Sequence, residues 1–131
     1  MTFLSKRNLL IVEDHDATRK ALSDWLAASF PELEIHVAQQ VEEALRIVEQ
    51  NRIDIVIMDI GLPGINGLEG TREMMRRWPE LEIVIISVHN GFANCAAALK
   101  SGAIRFIPKT KILTTLPALL EMLINRQPQI E

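Results

Sequence analysis

Five times along the chain a short, uninterrupted run of Leu, Ile and Val gives way to a longer stretch with helical spacing of apolar residues. The short runs are NLLIV (8–12), EIHVA (34–38), DIVIM (54–58), EIVIIS (82–87) and RFIP (105–108). They are continuous rather than alternating, which marks strands buried on both faces of a parallel sheet. The stretches between them predict helices over 16–29, 41–49, 66–78, 91–101 and 112–125. Their stripes are Ala17, Ala21, Leu22, Trp25 and Leu26 in the first, Val41, Ala44, Leu45 and Val48 in the second, and Leu68, Met74, Met75 and Trp78 in the third. The fourth is alanine-rich and stops at Gly102. The fifth carries Leu113, Leu116, Leu119, Leu120, Leu123 and Ile124. Pro31 and Pro79 close the first and third. This order predicts an α/β fold: one five-stranded parallel sheet, doubly wound in the flavodoxin-like manner, with right-handed crossovers.

A length of 131 residues, 48% of them apolar, suits a single domain over 1–131. Its core lies at about 8–124, and the polar 125–131 reads as a frayed tail or the start of a linker. The net charge of −3 argues against a nucleic-acid surface. Arg72, Arg76 and Arg77 cluster, but Glu69, Glu73 and Glu80 interleave with them, which reads as a solvated helix face. Cys95 is the one cysteine. It excludes an internal disulfide and reads as a small buried residue. The apolar part of MTFLSKRNLLIVEDHD is too short, and too soon interrupted by acids, for a signal peptide or membrane span. A reducing cytoplasm is the expected setting, with no membrane partner.

In doubly wound sheets functional groups gather at the carboxyl ends of the strands. After the first strand stand Glu13 and Asp14, and the third ends on Asp59, followed by a glycine-rich loop from Gly61 to Gly67. Ser87, Val88 and His89 follow the fourth, and Lys109 follows the fifth. The second ends in Ala38, Gln39 and Gln40, with nothing ionic. Carboxylates about 4 Å apart repel by about 4 kcal/mol per pair at an effective dielectric near 20. Such a cluster asks for a hard divalent cation, and Mg2+ suits oxygen ligands and bridges to phosphoryl groups. Asp59 is then a candidate nucleophile, since carboxylates form acyl phosphates. Lys109 and the Ser87 hydroxyl would receive phosphoryl oxygens. The loop glycines would let backbone approach metal and phosphate. Asp14 or Asp16 could instead N-cap the first helix.

LLIVEDHDATRKAL, DIVIMDIGLPGINGLEG and ALKSGAIRFIPK together resemble the response-regulator receiver domains of two-component signalling, closest to the NarL/LuxR type. The resemblance covers roughly 8–124. It implies that Asp59 is the phosphoacceptor and that Glu13, Asp14, Asp59 and the Gly61 carbonyl bind Mg2+. It implies further that Ser87 and Phe106 form the switch and that Lys109 is the family's lysine. Phe106 lacks the hydroxyl of the commoner Tyr, so an inward flip would be driven by packing alone. Val88 stands where a small residue is usual and crowds the phosphoryl entrance. Val88 and His89 are the positions expected to tune the site.

The implied partners are a histidine kinase or phosphotransfer protein, and a second copy of the chain on phosphorylation. DNA would be reached only through an output domain outside these residues, with transcription as the regulated process. The implied chemistry is self-phosphorylation and autodephosphorylation, not turnover of an external substrate. Two alternatives stand beside it. One is a pseudo-receiver that binds partners without phosphorylation. The other is a Mg2+-dependent aspartyl phosphatase of the haloacid dehalogenase type, which would want a second Asp where Gly61 stands. GLPGING has neither dinucleotide nor P-loop spacing.

Overall fold

The computed structural model describes residues 7–62, 64–88 and 92–125. Strands β1 (Arg7–Val12), β2 (Leu33–Ala38), β3 (Ile55–Asp59), β4 (Glu82–Ser87) and β5 (Arg105–Pro108) alternate with helices α1 (Asp16–Ser29), α2 (Val41–Gln50), α3 (Gly67–Arg77), α4 (Phe92–Lys100) and α5 (Ile112–Asn125). All pairings are parallel, and the strand order is β2-β1-β3-β4-β5. The fold is the predicted doubly wound sheet. The order reverses beside β1, so the carboxyl ends of β1 and β3 border the crevice where ligands bind in such sheets.

Every residue of β3 is buried, as are the last four of β1 and the last five of β4. β2 lies at an edge, and its middle is half-buried or exposed. On one face Leu9, Ile11, Ile57 and Ile86 pack under α1 and α5. On the other, Leu10, Val56, Met58 and Ile85 pack under α2, α3 and α4. Successive strand residues point to opposite faces, so one apolar run supplies both cores.

Two stripes are narrower than the sequence suggests. Ala17 and Ala21 are exposed, leaving Leu22 and Leu26 as the buried residues of α1. Leu113 is exposed, although the rest of its helix carries the core. Cys95 is only partly buried, not enclosed as expected. In contrast, α3's charges pair as a solvated face: Arg76 lies 2.6 Å and Arg77 3.9 Å from Glu73. Gly102 ends α4 at φ +111°, a conformation that favours glycine, and a Cβ there would press on Met75.

Candidate functional site

Strand register explains why the acids meet. Val12 pairs with Met58, so one residue further Glu13 stands beside Asp59. Asp59 pairs with Ile86, Ser87 follows on β4 and pairs with Pro108, and Lys109 comes next in the chain. Asp14, Asp59, Gly61, Ser87, Val88 and Lys109 line a cleft of about 510 Å³ together with Glu13. Carboxylate oxygens of Glu13, Asp14 and Asp59 all lie within 4.8 Å of one another. Glu13 is 1% exposed and Asp59 6%, whereas Asp14 is open to solvent.

The acids are held from several sides. Lys109 Nζ donates to Glu13 Oε1 at 2.8 Å and lies 3.4 Å from Asp59 Oδ2. The other Glu13 oxygen accepts the His15 N–H at 3.1 Å, and Asp59 Oδ1 accepts the Gly61 N–H at 3.3 Å. Burial pushes the Glu13 carboxyl above its ordinary range; the Lys109 hydrogen bond opposes this and the Asp59 charge adds to it. Burial works against the Lys109 ammonium as well, yet Glu13 and Asp59 outweigh it and hold its pKa above the ordinary value. The two shifts have one reason: Glu13 is the more enclosed partner, so desolvation falls more heavily on the acid.

Three carboxylates against one ammonium leave two negative charges over (3 − 1 = 2). A divalent cation matches that excess, and metal–oxygen bonds of about 2.0–2.6 Å span a donor set of this size. The donors are all oxygen, and no imidazole or thiolate joins the cluster among the described residues. This is a set for a hard cation rather than a transition metal.

His15, not Asp14 or Asp16, N-caps α1: its Nδ1 accepts the Thr18 N–H at 3.3 Å. The cap is thus taken by the residue between the two acids, and Asp14 stays in the cleft. The tight backbone approach within this loop is at Gly67. A Cβ on Gly67 would overlap the Asp59 carbonyl, while one on Gly61 would meet nothing within 4 Å. α3 therefore starts directly against the end of β3. Phe106 is not among the cleft residues; it is half-buried and packs with the core under α2, α3 and α4. Val88 stands 67% exposed at the rim. His89 lies outside the described residues. His15 and Thr18 also line the cleft and were not singled out from the sequence. Their position one turn after the strand end was the available signal.

The sheet thus carries an acid trio and a lysine together at its carboxyl edge. The profile of the response regulator receiver domain matches residues 9–121, and the chain belongs to that family. It is 38% identical over 101 residues to the transcriptional activator protein ExaE of Pseudomonas putida, covering 77% of this chain and 47% of that protein. It is 31% identical over 106 residues to the transcriptional regulatory protein DegU of Brevibacillus brevis, covering 80% and 44%. A crystal structure of a LuxR-family two-component response regulator from Aurantimonas sp. SI85-9A1 superposes with a TM-score of 0.83 at 27% identity, over 95% of this chain and 90% of that one. The LuxR-type resemblance agrees with these relatives. The chain spans about half the length of the curated relatives it matches. No helix among the described residues is long and apolar enough to cross a membrane.

Proposed function

We propose that Asp59 is the phosphoacceptor of this receiver, fed by the phosphoimidazole of a histidine kinase or phosphotransfer protein. The observation that carries this reading is Lys109 Nζ bridging Glu13 at 2.8 Å and Asp59 at 3.4 Å within the acid trio. An Asp59 oxygen attacks phosphorus, the donor P–N bond breaks, and the imidazole nitrogen leaves with the electron pair. Glu13, Asp14, Asp59 and the Gly61 carbonyl would hold Mg2+, which when bound neutralises charge on the transferring group. Lys109 turns from Asp59 to a phosphoryl oxygen, and the Ser87 hydroxyl, 2% exposed at the end of β4, donates to another. The Gly61 N–H already faces Asp59 Oδ1.

The added charge pulls Ser87 and Lys109 inward, and the segments that carry them shift with Phe106, which repacks without a hydroxyl of its own. Val88 narrows the entrance and sets the rate of water attack together with His89. The whole of 1–131 acts as one receiver in the cytoplasm. It pairs with a second copy on phosphorylation and regulates transcription through a DNA-binding output domain. Its catalysis is confined to its own acyl phosphate.

The test is intact-mass measurement after incubation with acetyl phosphate and Mg2+. One phosphoryl group is gained by the wild type and none by Asp59→Asn. Wild-type protein that stays unmodified with both acetyl phosphate and a phosphorylated kinase would point to the pseudo-receiver. Sustained turnover of an external phosphate ester would point to a phosphatase.

A further inference from the structure

We propose that Arg19 is a positioning residue for the cation site, holding the peptide that aims Asp14. The inference rests on the reading that Glu13, Asp14 and Asp59 bind Mg2+. Asp14 is exposed, and no hydrogen bond or ion pair holds its carboxylate among the described residues. Its place in the trio therefore depends on its backbone. The Glu13 carbonyl and the Asp14 N–H share one planar peptide, so whatever fixes that oxygen fixes the direction in which Asp14 leaves.

Arg19 does this. One guanidinium nitrogen donates to the Glu13 carbonyl at 2.9 Å, and the other pairs with Asp16 Oδ1 at 2.6 Å. The side chain is only 15% exposed. Its own N–H donates to the His15 carbonyl at 2.9 Å, which ties the first turn of α1 to the same loop. On the strand side, the Glu13 N–H donates to the Ala38 carbonyl at 3.0 Å. Glu13 is thus held from the sheet through its N–H, and the peptide ahead of Asp14 is held from the helix by Arg19. Mutual repulsion of the three acids pushes this loop outward, and the clamp opposes it before any cation arrives. A planar fork presents two nitrogens in fixed directions to two separated acceptors, which the single nitrogen of a lysine does not.

A neighbouring ion pair separates this role from a plain surface contact. Lys20 and Asp24 also pair on α1, at 3.1 Å, with side chains 79% and 67% exposed. Such a pair contributes little, and it touches no backbone of the loop.

Calorimetric Mg2+ titration of the wild type, Arg19→Ala, Arg19→Lys and Lys20→Ala tests the proposal. Arg19→Ala should weaken Mg2+ binding by about tenfold, the lower end of what loss of a supporting residue does at metal sites. Arg19→Lys should recover part of the loss, and Lys20→Ala should match the wild type. In acetyl phosphate assays the half-saturating Mg2+ concentration of Arg19→Ala should rise by the same factor, while its rate at saturating Mg2+ equals the wild type's. Equal affinities for Arg19→Ala and Lys20→Ala would overturn the proposal, as would a lost rate that excess Mg2+ does not restore. If Arg19→Ala does not fold, Asp16→Ala removes one anchor of the fork and should weaken binding more than Lys20→Ala; no difference between them overturns it. A wild type that takes up no Mg2+ overturns the proposed function and this inference together. A wild type that binds, with Arg19→Ala unchanged, overturns this inference alone.

Discussion

Two aspartates bracket β3, Asp54 just before it and Asp59 at its end, and their surroundings differ in kind. Asp54 Oδ2 accepts the Asn8 N–H at 2.9 Å, and its other oxygen faces Arg52 at 3.9 Å. Its backbone N–H and carbonyl are taken by Asn8 and Glu82, so Asp54 ties β3 to both neighbouring strands. Asp59 faces two further acids and shares one ammonium with Glu13. The same side chain, at either end of one strand, is satisfied below and left in excess above. Residue type says little about role. What decides it is whether neighbouring groups match the charge.

The contrast is sharpest in phosphorylation, where the difference should be all or none. Asp59→Asn should abolish phosphoryl gain and Asp54→Asn should leave it at the wild-type level, read by intact mass. The reverse result would break the comparison.

Cation binding comes next. At about 100 times its Kd, Mg2+ should stabilise the wild type by about 2.7 kcal/mol, measured by urea unfolding. Asp54→Ala should keep that increment and Asp59→Ala should lose most of it. Without Mg2+, Asp54→Ala should cost about 2 kcal/mol, because it orphans the Asn8 N–H and removes a hydrogen bond to a charged group. An unchanged stability would remove Asp54 from its structural role.

The smallest effect is in pH. Glu13 has a folded pKa raised above 4.5, so the metal-free folded state binds a proton more tightly than the unfolded chain. Its stabilising contribution is full below 4.5 and is lost as pH rises through the folded value. Lys109 is raised above 10.5, so its contribution holds below 10.5 and is lost above it. Glu13→Gln should flatten the acidic slope of metal-free stability and also shrink the alkaline loss, because the Glu13 carboxylate is the leading partner that raises Lys109. A slope of the same size in wild type and Glu13→Gln would contradict burial as the origin of the shift.

Much of this was legible in the sequence. Runs such as DIVIM and EIVIIS suit a strand covered on both faces, and they end where β3 and β4 end, within a residue. Once the strands were in order, the carboxyl-edge rule collected Glu13, Asp14, Asp59, Ser87 and Lys109 without any contact being known. Contacts between elements were not legible. Ala17 and Ala21 fit a stripe, but alanine is too small to report which way a helix turns, and both face solvent. His15 is a rarer cap than either Asp beside it, and only the built turn aims its Nδ1 at the Thr18 N–H. The need for glycine at 67 comes from where α3 lands on the Asp59 carbonyl, which no local pattern encodes. The Arg19 clamp joins a side chain to a backbone oxygen, and backbone oxygens carry no sequence signal.

On the proposed reading, the excess of acid at the carboxyl edge of β3 makes Asp59, and not Asp54, the acceptor. Borohydride reduction of protein treated with acetyl phosphate converts an aspartyl phosphate to homoserine, which peptide mass mapping locates. Homoserine is expected at position 59 alone, dependent on Mg2+. Homoserine at position 54 or another acid, or the same yield at 59 in the presence of a chelator, would contradict it.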